Sequence, residues 1–469
     1  MMKSRSILKQ VISPFLSLSL LLILLAGCGD DSAIGGSGGN CIGIRCQNVG
    51  GGGGKDPQTA PTLSVAPENG KNVLTLVPPS GTPATIFNVY WSSSLQGTVT
   101  QIPAVVSPFT HDGLANGAPI FYVATALTGA GESAPSAVAG GMPGKWTELT
   151  PSGTLPPARD SHTAVYNAST DRMVVFGGRG ASQAFNDYWV LQNSTKTTLA
   201  WNQFVTSAPP DRLGHSAVYN SQTNRMTLFG GSFNVTGSSF TNELWGVTSA
   251  DASTSLPQWT PLVGGTGPTP RWGHAAGYDQ PNDKMIVFGG STQTGQGLSN
   301  EVWVLNQATA PTPSWKSVVT AGGPSARCCM AAAYDPANRR MILFGGFGGF
   351  GPAGAILFGD LWTLTFNQAF STATWQNLTP SGGTPPPLRC CAASLWDGTK
   401  FLLFGGGEIG TPSDDKIHAL ILETATFAPA VGPAGPASRI FPTAVPAGKF
   451  LLFGGSGASG PLNDLWRLD

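Results

Sequence analysis

From residue 145 to the end, short apolar runs alternate with polar loops, and one run recurs six times: four residues ending in phenylalanine, then a glycine pair. The copies are Met173-Val-Val-Phe-Gly-Gly178, Met226-Thr-Leu-Phe-Gly-Gly231, Met285-Ile-Val-Phe-Gly-Gly290, Met341-Ile-Leu-Phe-Gly-Gly346, Phe401-Leu-Leu-Phe-Gly-Gly406 and Phe450-Leu-Leu-Phe-Gly-Gly455. Their first glycines, at 177, 230, 289, 345, 405 and 454, are 49 to 60 residues apart. A variable loop and a short strand, usually with a tryptophan, follow each pair. Repetition at this period predicts a solenoid or a propeller, because one such unit cannot bury its own apolar face. Helical periodicity is almost absent after residue 27.

Residues 58–140 carry a different pattern, without the repeat. Leu63-Ser-Val65, Val73 to Val77 and Ile86 to Trp91 are strand-like runs between turn signals. Phe109 to Leu114, Asn116 to Ala126 and Gly131 to Ser136 resemble the second half of a fibronectin type III domain. The resemblance implies a β-sandwich over 58–141, with Leu114 and Tyr122 packing the corner before the penultimate strand. The tryptophan usual on the second strand of that family is missing, and Leu76 lies near its place.

One repeat reads as four strands: Arg212-Leu-Gly-His-Ser-Ala-Val-Tyr219, Arg225 to Gly231, Asn242-Glu-Leu-Trp-Gly-Val247, and a fourth starting at Trp259-Thr-Pro-Leu262. The glycine pair, the spaced tyrosine and tryptophan and the Arg-x-x-His opening resemble the kelch repeat, whose units are propeller blades. Repeats four to six depart from it: Cys328-Cys329-Met330, Cys390-Cys391-Ala392 and Ile440-Phe441-Pro442 replace the histidine context, and repeat five has Ile417-His-Ala-Leu420 in place of the third-strand tryptophan. Fourth strands start at Trp146, Trp201, Trp259, Trp315, Trp375 and, in degenerate form, near Phe427. The first precedes every other repeat element, and the last unit stops after a third strand, Asn463 to Leu468. The expected architecture is therefore all-β: a six-bladed kelch-type propeller over 145–469, closed by the strand at Trp146 so that two sheet edges vanish.

Before the sandwich, Lys3, Arg5 and Lys9 precede an apolar stretch from Leu16 to Leu25, which ends in Leu25-Ala26-Gly27-Cys28. This resembles the bacterial lipoprotein signal: residues 1–27 would be removed and Cys28 lipidated. The implied location is the bacterial cell envelope, with an outer-membrane anchor, since Gly29 and not aspartate follows the cysteine. Residues 28–57 are a glycine-rich spacer whose ends lie on the order of 30 Å apart, with Cys41 and Cys46 inside it as a potential local disulfide. Charged residues make up 11% of the chain and the formal net charge is +0, which leaves no basic surface for nucleic acid.

Candidate chemistry is sparse. Arg159, Arg212, Arg271, Arg327, Arg389 and Arg439 open the six innermost strands, at the end that carries the longest loops, such as Phe347 to Gly359 and Gly322 to Ala326. They either ring the channel mouth and attract an anion or brace their own blades. His162, His215 and His274 occupy equivalent repeat positions, which argues against a shared metal. The vicinal pairs Cys328-Cys329 and Cys390-Cys391 allow inter-blade or vicinal disulfides, buried thiols or a four-thiolate metal site. The apolar insertion Phe347 to Phe358 either binds a partner or folds over the channel. Propellers of the kelch type include copper radical oxidases and a sialic-acid epimerase. The five histidines do not assemble the copper site of the former, and Asp160, Asp211 and Glu408 are the nearest acid/base candidates for the latter. The reading that needs fewest assumptions is a membrane-tethered extracytoplasmic binding or scaffolding protein, with no cofactor, that takes an envelope or extracellular protein or a polysaccharide. A sugar-modifying propeller enzyme is the alternative.

Overall fold

A computed structural model of the chain describes residues 60–469, apart from 83, 96, 130, 208, 236–238, 293–296, 353, 379–385, 409, 413, 423–425 and 431–434. The expected signal peptide, Cys28 and the spacer with Cys41 and Cys46 lie outside the described residues. Among the described residues no helix is long and apolar enough to cross a membrane.

The first 80 or so described residues fold as two facing sheets. One joins Thr62–Glu68, Lys71–Val77 and Phe109–His111; the other joins Thr100–Val105, Ile86–Ser92, Ile120–Thr128 and Gly131–Glu132, with Ala139–Gly141 also paired to the start of Ile120–Thr128. Leu74, Leu76, Phe87, Val89, Tyr122 and Ala124 alternate inward from both sheets and form the core. The hydroxyl of Tyr122 lies 2.9 Å from Asn72 Nδ2 and 3.0 Å from His111 Nδ1, so its polar end is satisfied inside that core. Leu114 packs at the margin and donates its amide to Gly70.

The remaining chain forms six four-stranded antiparallel blades. Their first strands are Thr163–Asn167, Ser216–Asn220, Ala275–Asp279, Ala331–Asp335, Ala393–Trp396 and Thr443–Val445. Each contacts the next, and the sixth returns to the first, so these strands line the axis. Every first strand begins four residues after its arginine, later than the repeat pattern predicts, because the arginine segment bends through a left-handed residue before it can join the sheet. Blade six consists of Thr443–Val445, Phe450–Phe453, Leu465–Leu468 and, from the other end of the domain, Trp146–Leu149. Trp146 lies opposite Leu468 and Leu149 opposite Leu465. The N-terminal strand thus closes the ring. In blades three and four the fourth strands, Ser314–Ala321 and Thr372–Asn377, also pair in parallel, joining two blades into one eight-stranded sheet.

One contact recurs at every blade junction. The aromatic residue of each fourth strand packs on the phenylalanine that ends the second strand of the preceding blade. The pairs are Trp201–Phe453, Trp259–Phe176, Trp315–Phe229, Trp375–Phe288, Phe427–Phe344 and Trp146–Phe404, with ring centroids 4.7 to 5.5 Å apart. Phe427, on the degenerate strand Thr426–Ala430, fills the same slot as the tryptophans. Aromatic pairs in this geometry contribute about 0.5–1.5 kcal/mol each beyond their buried area.

The sandwich meets the propeller at the end where first strands turn into second strands. Lys449 Nζ donates to the carbonyl of Asn116 at 2.5 Å, Ile421 packs with Leu95, Phe121 and Val123, and Met142 sits in the core between blades five and six. The glycine-pair loops occupy the opposite end.

Candidate functional site

At that opposite end, all six arginines are buried, 0 to 3% exposed. Each Nε donates to the carbonyl two residues back: Pro157, Pro210, Thr269, Ser325, Pro387 or Ala437. Each Nη1 donates to the first glycine of its own pair: Gly177, Gly230, Gly289, Gly345, Gly405 or Gly454. The guanidinium then pairs with Asp187, Glu243, Glu301, Asp360, Asp414 or Asp464. These carboxylates also accept from the third-strand indoles of Trp189, Trp245, Trp303, Trp362 and Trp466, and in blade five from His418 at 2.6 Å. Burial opposes ionisation of Asp360 and Asp464, but the donors from arginine and tryptophan outweigh it and hold both carboxyls low. The arginines therefore do not form a ligand-facing ring at the mouth; every one is consumed inside its own blade.

Two closed circles of backbone hydrogen bonds join the blades here. In the first, the amide of each second glycine donates to the arginine carbonyl of the following blade: Gly178 to Arg212, Gly231 to Arg271, Gly290 to Arg327, Gly346 to Arg389, Gly406 to Arg439 and Gly455 to Arg159. Only glycine fits these pairs. Gly177 has φ 65°, and a Cβ there would lie 2.8 Å from the carbonyl oxygen of Arg212. The second circle runs through the residue two past each arginine. Gly214 donates to Ser161, Gly273 to Gly214, Cys329 to Gly273, Cys391 to Cys329, Phe441 to Cys391 and Ser161 to Phe441, at 2.7 to 3.2 Å. All six residues have φ between 54° and 66°. Each left-handed turn costs about 1 kcal/mol at a non-glycine position, which the circle of hydrogen bonds offsets.

The inner circle surrounds a chamber of about 210 Å³ lined by Ser161, Cys329, Cys391, Phe441 and Trp272, with the histidine row behind them. His162 Nε2 bonds Thr443 Oγ1 at 2.7 Å, His215 bonds Thr163 at 3.0 Å and His274 bonds Ser216 at 2.7 Å. Each imidazole also meets the phenylalanine ring of the preceding blade. The histidines are staples between blades. Among the described residues no group of three or more His, Cys, Asp or Glu is placed to hold a metal ion.

Burial, reinforced by the nearby arginine charges, holds His162 and His215 well below the ordinary imidazole range and brings His274 down to about 3. An unfolded histidine binds a proton near pH 6.5 and these folded ones refuse it, so their stabilisation is complete above that pH and is lost as pH falls. The loss is about 1.4 kcal/mol per histidine per pH unit, or roughly 4 kcal/mol for three between pH 7.5 and 5.5. Denaturant titration at the two pH values measures this, and equal midpoints would show that the histidines protonate in place.

The vicinal cysteines Cys328, Cys329, Cys390 and Cys391 are buried and free. Cys328 Sγ lies 3.1 Å from Cys329 Sγ, well beyond the roughly 2.05 Å of a disulfide bond, so the expected disulfides are not formed. The four thiols make one apolar cluster with Phe347 and Ile440, covered by Trp272, Leu298, Ala355, Leu357 and Phe441. The neighbouring Cys328 and Cys391 thiols bring the Cys329 thiol down to about 5 against the effect of burial; the Cys329 thiol and burial push Cys328 up, and burial pushes Cys391 up.

Two of the covering residues, Ala355 and Leu357, come from the insertion. Its residues extend the second and third strands of blade four into one long hairpin, Arg340–Gly351 with Gly354–Phe366. Phe347 folds inward on the thiols. Phe350, stacked edge-on against it at 5.1 Å, is 73% exposed, and Ile356 is 42% exposed. Leu388, 61% exposed, lies beside the hairpin base at Gly359. The insertion thus packs on the thiol cluster and offers apolar side chains to solvent. The acid/base candidates are dispersed in their surroundings. Asp160 is buried, tied to Arg179 at 2.9 Å and to Ser161 at 2.8 Å, and burial raises its pKa. Asp211 is half-buried ahead of Arg212, and Glu408 is exposed on the short blade-five ladder Gly407–Glu408/Thr411–Pro412.

Residues 142–261 and 251–428 match the KLHDC2/KLHL20/DRC7 Kelch-repeats domain. Putative adagio-like protein 2 of Oryza sativa subsp. japonica is 31% identical over 289 residues, 59% of this chain and 42% of that protein. Adagio protein 3 of Arabidopsis thaliana is 29% identical over 283 residues, 59% of this chain and 43% of that protein. The chain thus spans less than half the length of these curated relatives. The solved structure of YjhT aligns at TM-score 0.49 and 16% identity, covering 67% of this chain and 95% of that one. With its glycine pairs, arginine braces and six closed blades all in place, the chain belongs to the kelch-repeat family.

Proposed function

We propose that this protein is a membrane-tethered extracytoplasmic recognition platform whose channel mouth binds a protein partner of the envelope or the extracellular space. The observation that carries this reading is the apolar surface at the mouth: Phe350, Ile356 and Leu388 project into solvent beside the half-buried Trp272, Leu357 and Phe441. Large apolar side chains grouped on one face of a rigid scaffold mark interaction sites, and aromatic anchors dominate the energy of such interfaces. The tether belongs to the same reading. It rests on the lipoprotein-like signal that ends at Cys28 and on the glycine-rich spacer after it, with outer-membrane attachment expected. The sandwich is read as a fibronectin type III-like spacer, supported by its three-stranded and five-stranded sheets and the buried Tyr122. Its contacts lie on the far end of the propeller, away from the mouth. Polysaccharide binding would instead call for polar groups at the mouth, where every arginine is already paired.

The test is affinity capture on the immobilised full chain, using solubilised envelope protein and, separately, envelope glycan of the source cell. F350S combined with I356S is expected to lower retention of a bound protein about 10-fold or more, while V205S, at an exposed rim position, leaves it unchanged. Retention that survives the double substitution, or retention of glycan alone, would overturn the assignment of this surface to a protein partner.

A further inference from the structure

The cysteine cluster is unused by the binding surface, yet two of its members sit where a bond would change the ring. Cys329 and Cys391 occupy equivalent positions in blades four and five, and both line the chamber. The amide of Cys391 donates to the carbonyl of Cys329 at 2.7 Å, and the two thiols belong to one buried cluster. Backbones joined this way hold their Cα atoms within the roughly 4.4–6.8 Å that a disulfide spans. The competing vicinal pair, Cys328 and Cys329, has close sulfurs, but bonding them would close a small ring through a peptide unit whose Cys329 is held at φ 60° by the inner circle. Cys328 and Cys390 are not among the residues that line the chamber, and their backbones are each bridged to the residue after a glycine pair, Phe347 and Gly407.

We propose that Cys329 and Cys391 are a thiol-exchange site that converts the blade-four–blade-five junction from hydrogen-bonded to covalent. The co-reactant is a low-molecular-weight disulfide small enough for the chamber. The Cys329 thiolate attacks one sulfur of the reagent, breaks its S–S bond and releases one thiol, leaving a mixed disulfide on Cys329. Cys391 then attacks the Cys329 sulfur, forms the inter-blade S–S bond and expels the second thiol. Two protein S–H bonds and one reagent S–S bond are lost; one protein S–S bond and two reagent S–H bonds are formed. The two electrons pass from the protein to the reagent. The bond closes a loop that contains all four strands of blade four, which limits the unfolded chain. It also leaves both backbone circles in place, because both cysteines already lie side by side. This inference stands apart from the binding reading: it concerns the ring and needs no partner.

The full chain is incubated with hydroxyethyl disulfide, alkylated, and digested with trypsin without reduction. Cleavage after Arg327, Arg339, Arg389 and Lys400 separates residues 328–339 from residues 390–400, and from Cys28, Cys41 and Cys46. The expected product is a disulfide-linked pair of these two peptides, formed by the wild type and by C328S, absent from C329S and from C391S, and accompanied by a midpoint of thermal unfolding raised by about 5 °C. Peptides that stay unlinked, whether fully alkylated or each lighter by two hydrogens as vicinal disulfides, would overturn the proposal, as would a linked pair that persists in C329S. Circular dichroism of each serine variant checks that it folds, and C328S supplies a matched substitution in the same cluster.

Discussion

Arg327→Ala is expected to destabilise the propeller by about 3–5 kcal/mol, the cost of breaking a buried, hydrogen-bonded ion pair from one side. The side chain is 3% exposed and makes two parallel bonds to Asp360, at 2.6 and 2.9 Å, a third to the carbonyl of Gly345 and a fourth to that of Ser325. Its guanidinium carbon also lies 3.8 Å from the ring centre of Phe358, a geometry that favours arginine over lysine. Alanine leaves Asp360 without its main partner, orphans two carbonyls and opens space under the blade-four hairpin. Arg327→Lys should recover less than half of the loss, since an ammonium cannot serve both carboxylate oxygens and both carbonyls in a plane. Urea unfolding of the two variants measures this. A wild-type midpoint for Arg327→Ala would mean that the arginine does not brace the blade.

The second large effect is expected at the seam of the ring. Trp146→Ala should cost about 3–5 kcal/mol, as for other buried tryptophans. Trp146 is 6% exposed, meets Phe404 and Phe450 edge-on at 5.5 and 6.0 Å, and anchors the strand that pairs with Leu465–Leu468. The equivalent change at Trp259, which fills the same slot in blade two but is only half-buried, should cost less. The seam variant should also unfold less cooperatively, with a lower denaturant slope, because blade six is then held by three strands and leaves an unpaired edge. Equal losses and equal slopes at the two positions would show that closure by the N-terminal strand contributes nothing special.

The parts of this fold that were legible in the sequence are those that repeat. The Phe-Gly-Gly runs and the fourth-strand aromatics gave six blades and their closure, because each copy meets the same neighbour and so carries the same residue. Other features had weaker signals. The acid that pairs with each arginine stands two residues before the third-strand tryptophan in five blades, at Asp187, Glu243, Glu301, Asp360 and Asp464. That spacing was readable and would have identified the arginines as braces. In blade five the spacing shifts, and Asp414 reaches His418 four residues on. The inner circle was hidden because four of its six left-handed positions hold Ser161, Cys329, Cys391 and Phe441, where only Gly214 and Gly273 hint at positive φ. Thr100–Val105 was missed in the sandwich because it is a largely exposed edge strand with Pro103 inside it, so no apolar alternation marks it. The mouth surface follows from the blade-four loop, whose residues differ from those of the other blades and so are not described by repetition; the glycine-rich run from Phe347 did not show that Phe347 turns in and Phe350 out.

Because the strand that closes the ring is also the one that follows the sandwich, any mechanical load arriving through the sandwich enters the propeller at its only covalently open junction. Four residues, Trp146–Leu149, would carry that load in shear against Leu465–Leu468. The contacts of Asn116 with Lys449, and of Leu95 and Phe121 with Ile421, lie in parallel with this strand. They act as a strain relief that must give way before the seam is pulled.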